Sequence, residues 1–136
     1  MINVFIRSSV ICLGLISFGT FAEEARDSRI VGSWQGMRTA DGKCQFLAWK
    51  SKFKEDGRFE ITFFADAERK KELHTERGTW RASDGRNELK TDGVPTTEVY
   101  TYSFADPNTV RYVNTVRDPS ADCQADYEFL EHRTQN

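Results

Sequence analysis

Asp56-Gly57-Arg58-Phe59-Glu60-Ile61-Thr62-Phe63-Phe64 is the stretch on which the fold turns. Asp-Gly tolerates turn dihedrals, and after it Phe59, Ile61 and Phe63 alternate with Glu60 and Thr62. Successive side chains of a strand point to opposite faces, so a period of two puts the apolar residues on one surface. The stretch therefore reads as a turn feeding a strand with one face on a core and the other in water. The same alternation recurs downstream. Tyr100, Tyr102 and Phe104 alternate with Thr101 and Ser103, and Ala125, Tyr127 and Phe129 with Gln124, Asp126 and Glu128.

Working outward, turn signals recur at Asp41-Gly42, Asp84-Gly85, Asp92-Gly93, Asp106-Pro107-Asn108 and Asp118-Pro119-Ser120. Their spacing suits hairpins. Between them the chain is rich in Val, Thr, Tyr, Phe and Trp. Eight strands are predicted, over 30–38, 44–53, 58–65, 72–81, 87–91, 97–104, 109–116 and 123–133. The charged run Asp66-Ala67-Glu68-Arg69-Lys70-Lys71 reads as a solvated loop, with a helical turn as the alternative. Consecutive short strands with hairpin-length links make an up-and-down meander, and closing it removes exposed sheet edges. The predicted fold class is all-β, a single antiparallel eight-stranded up-and-down barrel. A two-sheet β-sandwich is the alternative.

The amino terminus carries Arg7, an apolar stretch from Val10 to Phe21, and small residues at Thr20 and Ala22. Glu23, Glu24, Arg26 and Asp27 follow directly. The apolar run is short for a bilayer span and has the flanks of a secretory signal peptide. Residues 1–22 are expected to be removed, leaving 23–136 as one exported domain; a retained short anchor is the alternative. Cys12 follows Ile11 rather than a small residue, so no lipid attachment is expected there. The expected location is the periplasm or the exterior. The whole chain has a formal charge of −2, and its Lys and Arg are scattered, which argues against a nucleic-acid partner. No second apolar run suggests a membrane span in the mature protein.

Cys44 and Cys123 remain after processing, and an even count in an exported chain reads as a disulfide. Two isolated buried thiols are the alternative. The cysteines are too far apart in sequence for zinc-knuckle spacing, and no metal is predicted. In a closed meander the first strand pairs with both the second and the last. Cys44 and Cys123 then flank the end of the first strand, where its neighbours converge. The bridge would close a loop of about 80 residues, worth roughly 4.5 kcal/mol by chain entropy. The same closure brings Trp34, near the start of the first strand, to Arg133, near the end of the last, where a guanidinium can stack on the indole.

Gly32-Ser33-Trp34 resembles the glycine-x-tryptophan signature that opens the first strand of lipocalins and other calycins. Phe53-Lys54-Glu55-Asp56-Gly57-Arg58-Phe59 and Gly78-Thr79-Trp80 resemble the hairpin signals of small bacterial secreted lipocalin-like domains. The likeness spans most of residues 23–136 through the order and spacing of short motifs. It implies a barrel whose base is closed by an arginine late in the last strand, so Trp34 and Arg133 are assigned structural roles. It also implies a non-enzymatic protein that binds a small apolar or amphipathic ligand, without a cofactor.

The residues themselves offer little for catalysis. His74 and His132 belong to no motif with a nucleophile, and Ser33, Ser51, Ser83, Ser103 and Ser120 lack a nucleophile-elbow context. His132 shares a strand face with Glu128 while Glu131 points away, which reads as a surface histidine rather than a metal ligand. Glu55 and Asp56, like Asp118 and Asp122, are explained by turn chemistry. Lys50, Lys52 and Lys54 form a row read as solvent-facing, with a site for an acidic partner as the alternative.

The fourteen aromatics of residues 23–136, seven Phe, three Trp and four Tyr, are ample to line a small barrel. The candidate lining is Trp49, Phe59, Ile61, Phe63, Trp80, Tyr100, Tyr102, Tyr112 and Tyr127. A lumen filled by these rings is the alternative to an open pocket. The rival functional reading is a protein–protein module, such as a periplasmic protease or lysozyme inhibitor, docking through mouth loops around Lys43, Arg69, Lys70 and Asp118. Non-reducing peptide mapping of the exported protein is expected to give an amino terminus at Glu23 and a Cys44–Cys123 cross-link. A start inside the apolar stretch, or two alkylatable thiols, contradicts the respective expectation.

Overall fold

The structure is a computed structural model, and the residues described are 25–38, 45–117 and 128–135. Eight strands follow one another: β1 (Gly32–Met37), β2 (Ala48–Phe53), β3 (Arg58–Phe64), β4 (Glu72–Ser83), β5 (Arg86–Thr91), β6 (Glu98–Asp106), β7 (Thr109–Val116) and β8 (Glu128–Arg133). Every neighbour in sequence is a neighbour in space, and β1 pairs antiparallel with β8, so the sheet closes into a barrel in strand order. That closure replaces the two-sheet sandwich considered from sequence. The Asp66–Lys71 segment is a turn: Asp66 accepts from the backbone N–H groups of Lys70 and Lys71, and burial of its carboxylate is outweighed so that its pKa is lowered.

Several strand ends depart from the sequence expectation, with β2 starting at Ala48 rather than 44 and β6 running to Asp106 rather than 104, and two further departures have clear local reasons. The first strand was expected from Ile30, but Ile30 lies in a turn whose amide donates to the Asp27 carbonyl. The strand starts at Gly32, where φ is +131° and a Cβ would stand 2.7 Å from the Arg133 guanidinium. Glycine satisfies both constraints. At the other discrepancy, β4 runs on to Ser83 rather than Arg81, because Asp84 and Gly85 both take positive φ and turn the chain in two residues. A two-residue hairpin with that backbone continues strand pairing almost to the turn. The long β4 serves two partners, with Arg58–Phe64 against its first part and β5 against its second.

The inner face divides into two layers. Ile30, Trp34, Phe53, Phe59, Trp80, Ala82, Leu89, Tyr102, Val110 and Tyr112 form one buried cluster. The segment before β1 seals its lower end. Ile30 is fully buried, its carbonyl accepts from Trp34 Nε1 at 2.8 Å, and the Ala25 carbonyl accepts from the Ala82 amide at 2.9 Å. Tyr102 donates to Asp27 at 2.8 Å, and Asp27 is also paired with Arg29 at 2.7 Å. The Arg29 hydrogen bond outweighs desolvation and, with the Tyr102 donor, lowers the Asp27 carboxyl to about 2.

Trp34 stands opposite Arg133 across the β1–β8 seam, and the guanidinium carbon lies 4.1 Å from the indole centroid. The same guanidinium donates to the Val31 and Arg29 carbonyls at 3.0 and 2.6 Å. An alanine at Trp34 is expected to cost about 3–5 kcal/mol in denaturant unfolding, because it empties a buried indole's volume. Arg133→Ala is expected to cost less and to couple with it in a double-mutant cycle; additive effects mean that the stacking contributes nothing to closure.

Candidate functional site

Above the sealed base the inner face changes character. Ile61, Phe63, Tyr100 and Phe129 point inward by strand register, yet each retains solvent exposure, whereas Trp34, Phe59 and Trp80 below them are 2 % exposed or less. Ile61, Tyr100 and Phe129 pack against the base cluster, so the inner face runs continuously from the packed base to these partly buried rings. The candidate site is this upper half of the lumen.

Aromatic rings make its wall. Trp49 meets Phe129 edge to face at 5.4 Å, Tyr100 meets Phe129 at 5.9 Å and Tyr112 at 6.0 Å, and Tyr112 lies nearly parallel to Phe129 at 5.4 Å. At the rim Phe63 packs against Phe46 at 4.7 Å and stacks on His74 at 4.9 Å. The Trp49 indole reaches across β1 because Gly36 stands beneath it; a Cβ there would lie 2.1 Å from the ring. This glycine is required by close approach, not by its dihedrals.

A buried carboxylate sits among the rings. Glu131 is 3 % exposed, and one of its oxygens, Oε1, accepts from Trp49 Nε1 at 2.8 Å and Ser51 Oγ at 2.5 Å. Its other oxygen, Oε2, has no hydrogen-bond partner. Desolvation raises the Glu131 pKa, and the Ser51 and Trp49 donors offset only part of that effect. The Tyr112 hydroxyl and the carbonyl oxygens of the Asn87 and Asn114 amides are also buried without partners. Asn87 lies close enough to lower the Tyr112 pKa slightly, but the two share no hydrogen bond of proper geometry. Nearer the strand ends, Glu98 accepts from the Tyr100 hydroxyl at 2.8 Å and the Asn114 amide nitrogen at 3.1 Å. Burial pushes both Tyr100 and Tyr112 well above the ordinary phenol value, so each remains a neutral hydroxyl.

The sequence-derived lining divides between the layers. Trp49, Ile61, Phe63, Tyr100 and Tyr112 border the upper lumen, with Tyr112 also reaching the base cluster. Phe59, Trp80 and Tyr102 belong to the packed base. Tyr127, Cys44 and Cys123 lie outside the described residues, as do Lys43 and Asp118 of the rival docking surface. Arg69 of that surface is committed to the barrel: its guanidinium donates to the Gly36 carbonyl at 2.8 Å and the Trp49 carbonyl at 3.3 Å. Lys50, Lys52 and Lys54 are exposed on the outer wall. His132 and Glu128 also face outward, and among the described residues no three His, Cys, Asp or Glu form a group that could hold a metal ion.

Sequence reasoning missed the polar members of the site: Glu131, Ser51, Asn87, Glu98 and Asn114. One signal was present. In β8 the phase that carries Phe129 and Arg133 inward carries Glu131 with them. No helix among the described residues is long and apolar enough to cross a membrane. No protein-family model matches the chain, and no curated protein matches it.

The Glu131 environment has a signed consequence for stability. Its folded pKa lies above the ordinary carboxyl value, so the folded state favours the protonated form. The resulting stabilisation is complete below the ordinary value near 4.5 and is lost as pH rises through the raised one. Glu131→Gln should therefore gain on the wild type progressively as pH rises from 4 to 8, as chemical denaturation across pH reads it. A difference that stays constant with pH would show that Glu131 is not desolvated.

Proposed function

We propose that this chain is an exported, non-enzymatic binding protein of lipocalin-like type that takes one small amphipathic molecule into the upper barrel. The observation that carries this reading is a single aromatic inner face, fully buried at Trp34, Phe59 and Trp80 and only partly buried at Ile61, Phe63, Tyr100 and Phe129. A pocket of rings with a few convergent polar groups is the usual chemistry of a small-molecule site. The Gly32-Ser33-Trp34 signature, with Arg133 over Trp34, supports the lipocalin-like assignment. The leader-like residues 1–22 support export. The rival reading, an inhibitor docking through its mouth loops, is weakened at Arg69, whose guanidinium is already engaged with β1 and β2 carbonyls.

Titration of the exported protein with N-phenyl-1-naphthylamine, a neutral amphiphilic fluorophore, tests the proposal. Saturable enhancement at one probe per chain is expected, with a several-fold loss of affinity in Phe129→Ala, which removes the central ring. Absence of saturable binding overturns it.

A further inference from the structure

The barrel is closed unevenly. The β1–β8 ladder ends at Gln35–His132, although β1 runs on through Gly36 and Met37 in register with β2, and residues 128–131 of β8 stay in register with β7. Beyond Gln35–His132 the two strands face each other without ladder pairs, and Met37 and Leu130 are exposed beside that stretch. A side-chain contact spans it instead. Gly36 and Glu131 are the first residues past the last pair. Because Gly36 has no Cβ, the Trp49 indole lies over it, and Glu131 Oε1 accepts from Trp49 Nε1 and Ser51 Oγ of β2. The last strand is thus joined to the second across the first, at the point where backbone pairing stops.

Both donors to Glu131 are neutral, and among the described residues no cation is hydrogen-bonded to it. Arg133, the next inward residue of β8, is committed to the Val31 and Arg29 carbonyls, Arg69 to those of Gly36 and Trp49, and Arg38 lies over Phe46. The carboxylates Glu76 on β4 and Glu98 on β6, in the inward phase of their strands, carry the same sign as Glu131. Tyr100 and Tyr112 stay neutral, and β3 and β5 contribute Ile61, Phe63 and Asn87. A desolvated carboxylate without a cation either neutralises or regains water. We propose that Glu131 is an acid-dependent clasp of the upper β1–β8 seam: as a neutral carboxyl it ties β8 to β2 across Gly36, and on losing its proton to water it is hydrated through the unpaired stretch and releases the seam. The device belongs to the wall and is independent of any guest in the lumen.

Each indole N–H of the protein has its own acceptor: Trp49 has Glu131, Trp34 the Ile30 carbonyl and Trp80 the Lys54 carbonyl. Solvent exchange of these three groups, and of the Gln35 and His132 amides at the last seam pair, is followed by NMR on the exported protein between about pH 5 and pH 8 and corrected for intrinsic exchange. The closed seam favours the protonated carboxyl, so protection of Trp49, Gln35 and His132 is expected to fall as pH rises. The fall should approach about tenfold per pH unit once Glu131 titrates, while Trp34 and Trp80 stay within about twofold. Glu131→Gln, uncharged throughout, is expected to abolish the pH dependence. Ser51→Ala removes a donor that favours ionisation and is expected to move the fall to higher pH. A Trp49 indole that becomes better protected as pH rises, the behaviour of a charged hydrogen bond that holds, overturns the clasp. So does a fall that persists in Glu131→Gln, or one shared equally by Trp34 and Trp80.

Discussion

Arg133 covers the Trp34 indole while donating to the Val31 and Arg29 carbonyls, and through these contacts the last strand, the first strand and the segment before it become one unit. The seam needs such reinforcement because β1 and β8 share only the pairs Trp34–Arg133 and Gln35–His132. A guanidinium suits the position: its planar fork satisfies several carbonyls while its face lies on a ring, which an ammonium cannot reproduce. Gly32 makes the approach possible by having no Cβ where the guanidinium passes. With the seam held, the Ile30 turn lies beneath the barrel and the base closes.

A sealed base changes the energetics of what lies above it. The lower rings pack against one another and exclude water, so polar groups placed just above them are desolvated without being part of the core. Glu131 is one step along β8 from the inward Arg133, and it is held by two donors from β2 rather than by an opposite charge. Burying an ionisable group this way is destabilising by itself. Its position between the fully buried base rings and the partly buried rings above them is the strongest physical mark of a site among the described residues.

How much of this was legible in the sequence depended on the kind of signal. The barrel followed from alternation in Phe59-Glu60-Ile61-Thr62-Phe63 and from Asp-Gly turns, both local patterns that survive folding unchanged. The strand ends were less readable, since Ile30 has the composition of a strand residue and becomes a plug through a tertiary contact, its carbonyl bonded to Trp34. The aromatic half of the site was visible because rings at period two are conspicuous. Its polar half was not. A glutamate flanked by Leu130 and His132 looks like surface, and only the phase of the strand shows that it faces inward. Nor does one strand's sequence reveal that Ser51 and Trp49, some eighty residues earlier, supply its donors.

The closed ladder also governs traffic. Every strand of the barrel pairs with a neighbour on each side, and the floor is occupied by Ile30, so on the binding reading proposed above a guest would pass by an opening at the end opposite Ile30. That opening is edged by the 65–71 turn, which Arg69 fastens to the Gly36 and Trp49 carbonyls, and the Trp49 indole is itself the wall beside Glu131. The 65–71 turn and the Glu131 environment are thereby mechanically linked: loosening the Arg69 fastening would free the Gly36 and Trp49 carbonyls and, through the Trp49 indole, disturb a donor to the buried carboxylate.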